Sequence, residues 1–418
     1  MDNKKIVSLE RAIELGCAHV SPLSLETRIL AESLNRVAAG DIHSTRQVPS
    51  FSRSKVDGFT LTESDLLRLR SGDCLELQVI NIIPAGSIGE VEFAPGQTIR
   101  IMTGAIIPLN TVAIVKQEDV RDRGDTISLT GSVDYKQYID PPGSEIEVGE
   151  TIISDGQEVD AAVIERLASA GETGIKVYSV PRVYIINCGD ELRLPGQTLQ
   201  KGQIYHSNRN FMLAKVQTAH CQGILGNAGV GDNLDSIVKE IDIGVKEGDL
   251  LIISGGTAQG KYDLVADALQ EMKAEFLFHS IASKPGRNIS CSWLQGHLVF
   301  NLPGHPTAGG IIFDLLLTPV LRKIRGLNNF GHNWLNLCLS ARINRKRDIR
   351  NFRRGELVQD NLTFLARPLG KHEKNQGSIP LLLDIKAGQG EKGDIVKAIL
   401  LRSEERRVGK ECISRWSP

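Results

Sequence analysis

Apolar positions divide this chain into five stretches of different periodicity. From Leu25 to Ala39, the residues Ile29, Leu30, Leu34 and Val37 fall at helical spacing and predict an amphipathic helix, with Gly40 as its stop. From residue 42 to 138 the pattern changes to short β-branched runs, such as Leu77–Ile83 and Val112–Val115. Pro84-Ala85-Gly86, Pro95-Gly96, Gly104 and Gly124 separate them, which predicts a small β-rich domain. Residues 139–180 return to helix, with Ala161–Ala170 running into Gly171. A β-rich block between two helical ones suits an insertion (domain II, 42–138) into a helical domain I made of 1–41 and 139–180.

Residues 181–326 alternate strand and helix. The runs Val183–Ile186 and Leu250–Ile253 read as buried strands and Ile224–Val230 as a further one, with helices at 208–219, Leu234–Ile243 and Leu264–Met272. Such alternation predicts a doubly wound, mostly parallel sheet with helices on both faces, whose ligands bind beyond the carboxyl ends of the strands. Residues 327–402 look β-rich, clearest at Ile395–Leu401, as a fourth domain. The last stretch, 403–418, is polar, Arg-rich and without periodicity; it reads as a non-native or disordered tail and is set aside. The fold expected is therefore α/β and multidomain.

Composition narrows the function classes. The chain has 418 residues, 49 Lys plus Arg against 50 Asp plus Glu, and 41 glycines with only 5% aromatics. The near-zero balance gives no electrostatic case for nucleic acid or an anionic membrane surface. No run reaches the roughly 20 apolar residues of a membrane helix, and the start lacks a signal-peptide core. The seven cysteines are scattered, odd in number and without a C-x-x-C pair, which argues against a disulfide framework or a zinc site. The expected location is cytoplasmic.

Candidate chemistry gathers at the ends of the predicted strands. Ser254-Gly255-Gly256-Thr257-Ala258-Gln259-Gly260 follows a buried strand and precedes a helix, a context in which backbone N–H groups converge on an anion. It lacks the Gly-Lys-Ser/Thr of a P-loop, and a plain tight turn is the competing reading. Cys188-Gly189-Asp190-Glu191-Leu192 puts two carboxylates past another strand. Asp232 and Asp263 hold similar positions; the set suits Mg²⁺ beside phosphate, though such carboxylates also cap helices. Lys284-Pro285-Gly286-Arg287 sets two cations around a rigid turn, fit for one oxyanion, and Leu302-Pro303-Gly304-His305-Pro306 follows. His206 and Cys188 invite a base–nucleophile reading, but without a third orienting group both read as structural.

Taken in order, Val56-Asp57-Gly58-Phe59, Pro84-Ala85-Gly86, Arg100-Ile101-Met102-Thr103-Gly104-Ala105, Lys116-Gln117-Glu118-Asp119, Gly189-Asp190-Glu191-Leu192, Pro195-Gly196, Gly202-Gln203-Ile204, Ser207-Asn208, Ser254-Gly255-Gly256, Lys284-Pro285-Gly286 and Leu302-Pro303-Gly304 resemble the motifs of the molybdopterin molybdenumtransferases, relatives of the gephyrin E domain. The match runs from about residue 8 to 326 and more weakly to about 401. The resemblance implies an elongated homodimer of four-domain chains, with the third domain like the molybdopterin adenylyltransferases. It also implies a reaction: adenylyl-molybdopterin and molybdate bind, Mg²⁺ assists release of AMP, and molybdenum joins the pterin. By motif, Glu191, Asp232 and Asp263 would surround the metal and phosphates. Asp57, Thr103, Glu191, Asp263 and Lys284 would be catalytic. Substrate would meet Ser254, Gly255, Gly256, Arg287, Pro303, Gly304, Arg353, Arg354 and Ser378. Asp57 and Thr103 would face the third domain of the partner subunit, and a transient contact with the adenylyltransferase is implied.

The sequence departs from the family pattern at several points. Cys188 stands for Thr, Ala258-Gln259-Gly260 for Ser-Val-Gly, Arg287 for Lys, His305 for Asn and Ala308 for Ser. Asp140-Pro141-Pro142-Gly143-Ser144-Glu145 replaces an Arg-rich stretch, and the fourth domain is shortened near Gly377. Two readings follow: an active transferase, or a weakened relative that binds pterin or nucleotide as carrier or regulator. A scaffold role finds no exposed apolar run to support it, and a lone nucleotide-binding module would leave 42–138 unexplained.

Overall fold

The computed structural model describes residues 5–87, 91–255, 263–343, 349–361, 363–370, 373 and 378–401. The Gly256–Gly260 part of the double-glycine loop, Gln376-Gly377 and the 403–418 tail lie outside these residues.

The centre of the molecule is a six-stranded sheet in the order Gln222–Leu225, Arg182–Asn187, Leu250–Ser254, His297–Leu302, Ser290–Leu294, Glu275–Phe278. The first four strands are parallel, and the last two add antiparallel. Both faces are covered, so the inner strands run apolar rather than alternating. Val183, Ile185, Leu250, Ile252 and Phe300 pack on one side with Met212 and Val216 of the Ser207–Thr218 helix. Tyr184, Ile186, Leu251, Ile253 and Val299 pack on the other with Ile237 and Ile241 of Leu234–Glu247 and with Val265 and Leu269 of Leu264–Glu271. The third predicted strand is shorter than expected: it stops at Leu225, and the Asn227 N–H donates to the Glu240 carboxylate instead of to a strand.

The N-terminal helix Leu9–Ala18, capped by Ser8, buries Leu9, Ala12 and Cys17 in the core of this α/β unit. The helix expected over Leu25–Ala39 does not form. Leu25–Ile29 is a strand paired antiparallel with Gly174–Tyr178, followed by a single 3₁₀ turn at Leu30–Glu32. Its supposed apolar face is mostly solvent: Ile29 and Leu34 are more than half exposed, and only Val37 and Ala38 are buried. A partner some 150 residues away overrides the local spacing. The Ala161–Ser169 helix packs Leu167 against this ladder.

Two short antiparallel ladders, Ile42–His43 with Thr151–Ile153 and Arg53–Ser54 with Ile139–Asp140, carry the chain out into a second sheet and back. That sheet has six strands in the order Ala113–Lys116, Gly58–Leu61, Gln97–Ile101, Leu75–Ile83, Thr126–Leu129, Arg121–Asp122, with the Glu63–Arg70 helix against it. Gly58 has no alternative there, since a Cβ would sit 2.1 Å from the Val115 carbonyl oxygen.

After Leu302, Pro306–Ile312 continues through a π turn, Phe313–Leu317, into Thr318–Ile324. The chain then closes a five-stranded barrel in the order Leu335–Leu339, Thr363–Pro368, Asn351–Asp360, Ile379–Ile385, Ile395–Leu400, filled by Leu337, Leu357, Leu381, Leu383 and Val396. Closure removes the edges that an open sheet would expose. Among the described residues no helix is long and apolar enough to cross a membrane.

Candidate functional site

The carboxyl ends of the three inner strands meet at Asn187-Cys188-Gly189, Ser254-Gly255 and Leu302-Pro303-Gly304. The Cys188 N–H donates to the Ser254 carbonyl at 3.0 Å. Gly255 takes φ +96°, and a Cβ on it would lie 2.1 Å from the Cys188 carbonyl oxygen, so the turn requires glycine on two counts. A Cβ on Gly304 would lie 3.7 Å from the Gly255 Cα, so these two glycines face each other across the strand ends. Two motifs separated by about fifty residues thus form one backbone-lined floor.

The acidic residues partition unevenly. Asp190 and Asp232 staple two loops: the Asp232 N–H donates to Asp190 Oδ1 at 3.1 Å, and the Asp190 N–H to Asp232 Oδ2 at 3.4 Å. The Glu191 carboxylate folds back over Gly189, where a Cβ would come within 2.6 Å of Oε2. Asp190, Glu191 and Asp232 therefore share one rim. Asp263 caps the Leu264–Glu271 helix and accepts from the Ala266 N–H at 3.1 Å. The described residues hold no group of three or more His, Cys, Asp or Glu side chains arranged to hold a metal.

Behind the floor lies a buried polar layer that sequence reasoning missed. The Ser254 hydroxyl accepts from the Asn208 amide at 2.8 Å and also from the Asn187 amide. Asn187 ends its strand, Asn301 is the next-to-last residue of His297–Leu302, and Asn208 is the second residue of the Ser207–Thr218 helix. The side-chain oxygens of Asn187, Asn208 and Asn301 and both ring nitrogens of His206 are buried without a hydrogen-bond partner among the described residues. Buried polar atoms of this kind mark where water or a polar ligand completes the network. For Asn187 and Asn301 the signal was present in the sequence as a polar residue at or near the end of an apolar run.

Glu240, also unanticipated, is buried and accepts from the Tyr184 hydroxyl at 2.9 Å and from the Asn227 N–H and side-chain amide at 2.7 and 2.6 Å. It anchors the loop that carries Asp232. Its place on the buried stripe of Ile237, Ile241 and Gly244 was the available clue.

Cys188 and His206 form no nucleophile–base couple. Burial, helped by the charges of Asp232 and Glu240, pushes the Cys188 thiol up to about 12. Burial, helped by Arg209, holds His206 below its ordinary value. At neutral pH both are uncharged.

The remaining candidates occupy three further elements. Asp57 Oδ1 accepts from the Thr103 N–H and hydroxyl, each at 2.7 Å, in the second sheet. These bonds hold its carboxyl below the usual carboxylate range. Lys284 and Arg287 are exposed on a tight turn bonded to the barrel at Arg350 and Phe352. Arg353 and Arg354 lie on the Asn351–Asp360 barrel strand. The Arg354 guanidinium reaches Gly310, where a Cβ would be 3.3 Å from it, just past the Leu302-Pro303-Gly304 turn. Ser378 opens the next barrel strand.

This architecture has counterparts. The family model for the MoeA N-terminal region, domains I and II, matches residues 7–171, and that for a "probable molybdopterin binding domain" matches residues 184–323. The molybdopterin molybdenumtransferase of Staphylococcus epidermidis is 32% identical over 328 residues, 78% of each chain, and that of Staphylococcus aureus strain COL 28% identical over 327 residues, again 78% of each. A crystal structure of the molybdopterin biosynthesis MoeA protein from Pyrococcus horikoshii superposes with a TM-score of 0.74 at 27% identity, over 96% of this chain and all of that one. The fold and site thus define a multidomain protein of molybdenum-cofactor biosynthesis, built around a molybdopterin-binding α/β unit with a β-rich insertion and a terminal barrel. The chain belongs to the molybdopterin molybdenumtransferase family, a family of transferases.

Proposed function

We propose that the protein transfers molybdenum from molybdate to adenylyl-molybdopterin with release of AMP, in the cytoplasm, as a homodimer. The observation that carries this reading is the floor of Gly255 and Gly304 at the strand ends, rimmed by Asp190, Glu191 and Asp232. Backbone N–H groups at such a turn hold phosphate oxygens, and the helix N-terminus after Asp263 adds a favourable dipole.

The rim also suits Mg²⁺, which takes one or two carboxylates and completes its shell with phosphate oxygens and water, so a preformed three-ligand cage is not needed. Glu191 and Asp232 would hold it, with Asp263 at the end of the double-glycine loop. When bound, the ion neutralises charge on the phosphoanhydride. The orphaned Asn187, Asn208 and Asn301 oxygens would accept from N–H groups of a polar ligand or from the O–H groups of bridging water. Ser254, Gly255, Gly256, Pro303 and Gly304 carry the pterin phosphate, and Lys284, Arg287, Arg353, Arg354 and Ser378 gather the oxyanion. Asp57 and Thr103, rigidly paired, act on the α/β unit of the partner subunit. A transient contact with the molybdopterin adenylyltransferase would deliver the adenylylated substrate.

The test supplies purified protein with adenylyl-molybdopterin and Mg²⁺ and measures AMP with and without molybdate. Molybdate-dependent AMP release supports the transferase. Tight binding without AMP release sinks it and leaves a carrier.

A further inference from the structure

The turn that presents Lys284 is held from outside. Within it, the Ile281 N–H donates to the Gly286 carbonyl at 2.7 Å and the Ser283 hydroxyl to the Pro285 carbonyl at 2.7 Å, so the turn moves as one piece. Its orientation is set by two bonds to the barrel: the Lys284 N–H donates to the Arg350 carbonyl at 3.0 Å, and the Phe352 N–H to the Lys284 carbonyl at 2.8 Å. Both partners flank Asn351, where the Asn351–Asp360 strand begins.

The side chain of Arg350 ties that point to two other parts of the chain. Nε and Nη2 donate to Asp384 Oδ1 and Oδ2 at 2.8 and 2.7 Å, a fork-to-fork pair onto a fully buried carboxylate of the neighbouring barrel strand. Nη1 donates at 2.6 Å to Glu10, in the first turn of the Leu9–Ala18 helix. The guanidinium also lies 4.9 Å from the centre of the Phe352 ring. From the N-terminal side, Ile6–Val7 pairs parallel with Ser280–Ile281, and the Ala282 N–H donates to the Val7 carbonyl at 2.9 Å. Segments from both ends of the sequence thus converge on one turn: the N-terminal strand through backbone bonds, and the first helix and the barrel through the Arg350 guanidinium beside it.

We propose that Arg350 is a positioning residue for Lys284, locking the barrel, the first helix and the Lys284 turn into the one arrangement that aims the ammonium at the oxyanion. This rests on the reading of Lys284 as an oxyanion-binding residue. A planar fork fixes direction as well as distance, which the point charge of lysine does not. Arg350 touches no substrate; its effect passes through the backbone of Lys284.

The experiment follows AMP release against molybdate concentration in Arg350→Ala, Lys284→Ala and the double variant, with circular dichroism as the control for folding. Arg350→Ala is expected to raise the half-saturating molybdate about tenfold, with turnover at saturation within about twofold, since a misplacement near 1 Å costs up to a hundredfold. In the Lys284→Ala background the same substitution should add nothing, because the two act as a unit. Equal effects in both backgrounds overturn the proposal while leaving the Lys284 reading intact. An unchanged molybdate dependence in Lys284→Ala alone overturns that reading, and the proposal with it. Should Arg350→Ala fail to fold, Arg350→Lys and Glu10→Gln replace it. Each keeps Asp384 paired, and each should raise half-saturation about two- to threefold, again only when Lys284 is present. No rise in either overturns the proposal.

Discussion

Glu240→Ala tests whether the acidic rim is held from below. The carboxylate receives three hydrogen bonds, one from the buried Tyr184 hydroxyl and two from Asn227, which is exposed. These donors do not cost the same when orphaned. Tyr184 cannot turn to water, so its hydroxyl forfeits the full desolvation penalty of about 1–3 kcal/mol. The Asn227 groups rehydrate and forfeit about 0.5 kcal/mol each, the net worth of an ordinary bond at the low end. Burial holds Arg209 below its ordinary value, and Glu240 partly offsets this, so Arg209 loses a counter-charge too. The expected loss is about 3 kcal/mol in urea denaturation for Glu240→Ala. Glu240→Gln keeps one acceptor but turns an NH₂ toward a donor, and should lose about half as much. A double-mutant cycle with Tyr184→Phe should return a coupling of about 1–2 kcal/mol. A loss below about 1 kcal/mol for Glu240→Ala, or additivity in the cycle, would refute the account.

Other expectations follow from single contacts. Gly58→Ala forces a Cβ against the Val115 carbonyl inside the second sheet, and should lower stability by about 2 kcal/mol or more, read as a shift in the thermal midpoint. Iodoacetamide at pH 8 should modify the exposed Cys74 and Cys338 while sparing buried Cys188, Cys221 and Cys291. Burial pushes the first two of these buried thiols up to about 12 and the third well above its ordinary value; fast labelling of Cys188 by mass spectrometry would contradict this. The Asp57–Thr103 pair should be intact above the ordinary carboxylate range and lost only as pH falls through the depressed Asp57 value. Thr103→Val removes the hydroxyl donor, so the Asp57 carboxyl should titrate at higher pH, measured by carbon NMR.

The α/β unit was legible because its strands are buried on both faces. Val183–Ile186 and Leu250–Ile253 have no polar alternation, and the Leu234–Glu247 helix between them carries a clear stripe. The same reasoning failed at Leu25–Ile29, whose partner strand lies beyond the whole insertion. It was silent at 306–324, where Ile311, Ile312, Phe313, Leu315, Leu316, Leu317, Val320 and Leu321 are buried all round and show no face. At the site, motif positions fall on loops at strand ends, but local pattern did not give the contacts among them. The Asp190–Asp232 staple spans two strand ends, and the Asp57–Thr103 pair spans two strands of another sheet. Such pairings depend on strand order, which local pattern does not encode. Asn187, Asn208 and Glu240 were visible as polar residues in apolar settings, and only the structure shows that each is buried for a reason.

The departures from the family pattern read differently once placed. Cys188 points into the core beside Ile186 and Val230, so exchanging a hydroxyl for a thiol there alters packing rather than the floor. Asp140 accepts from Arg53 and pairs with Lys55 at 3.2 Å, while Glu145 pairs with Arg53. The acidic stretch that replaces arginines is therefore met by cations from the adjoining strand, and the reversal of charge is largely contained within that ladder. His305 starts the Pro306–Ile312 helix without a side-chain cap bond and is exposed. The proposed floor is the backbone of Gly255 and Gly304, and neither glycine is itself a departure; Cys188 meets Gly255 through its carbonyl oxygen. A site of the kind proposed, with main-chain N–H donors, would tolerate exchange of the side chains around it, because its donors depend on the course of the chain. That course is fixed here by Gly255, whose contact with the Cys188 carbonyl oxygen is too close for any Cβ, and by the Asn187–Ser254–Asn208 bonds beneath it.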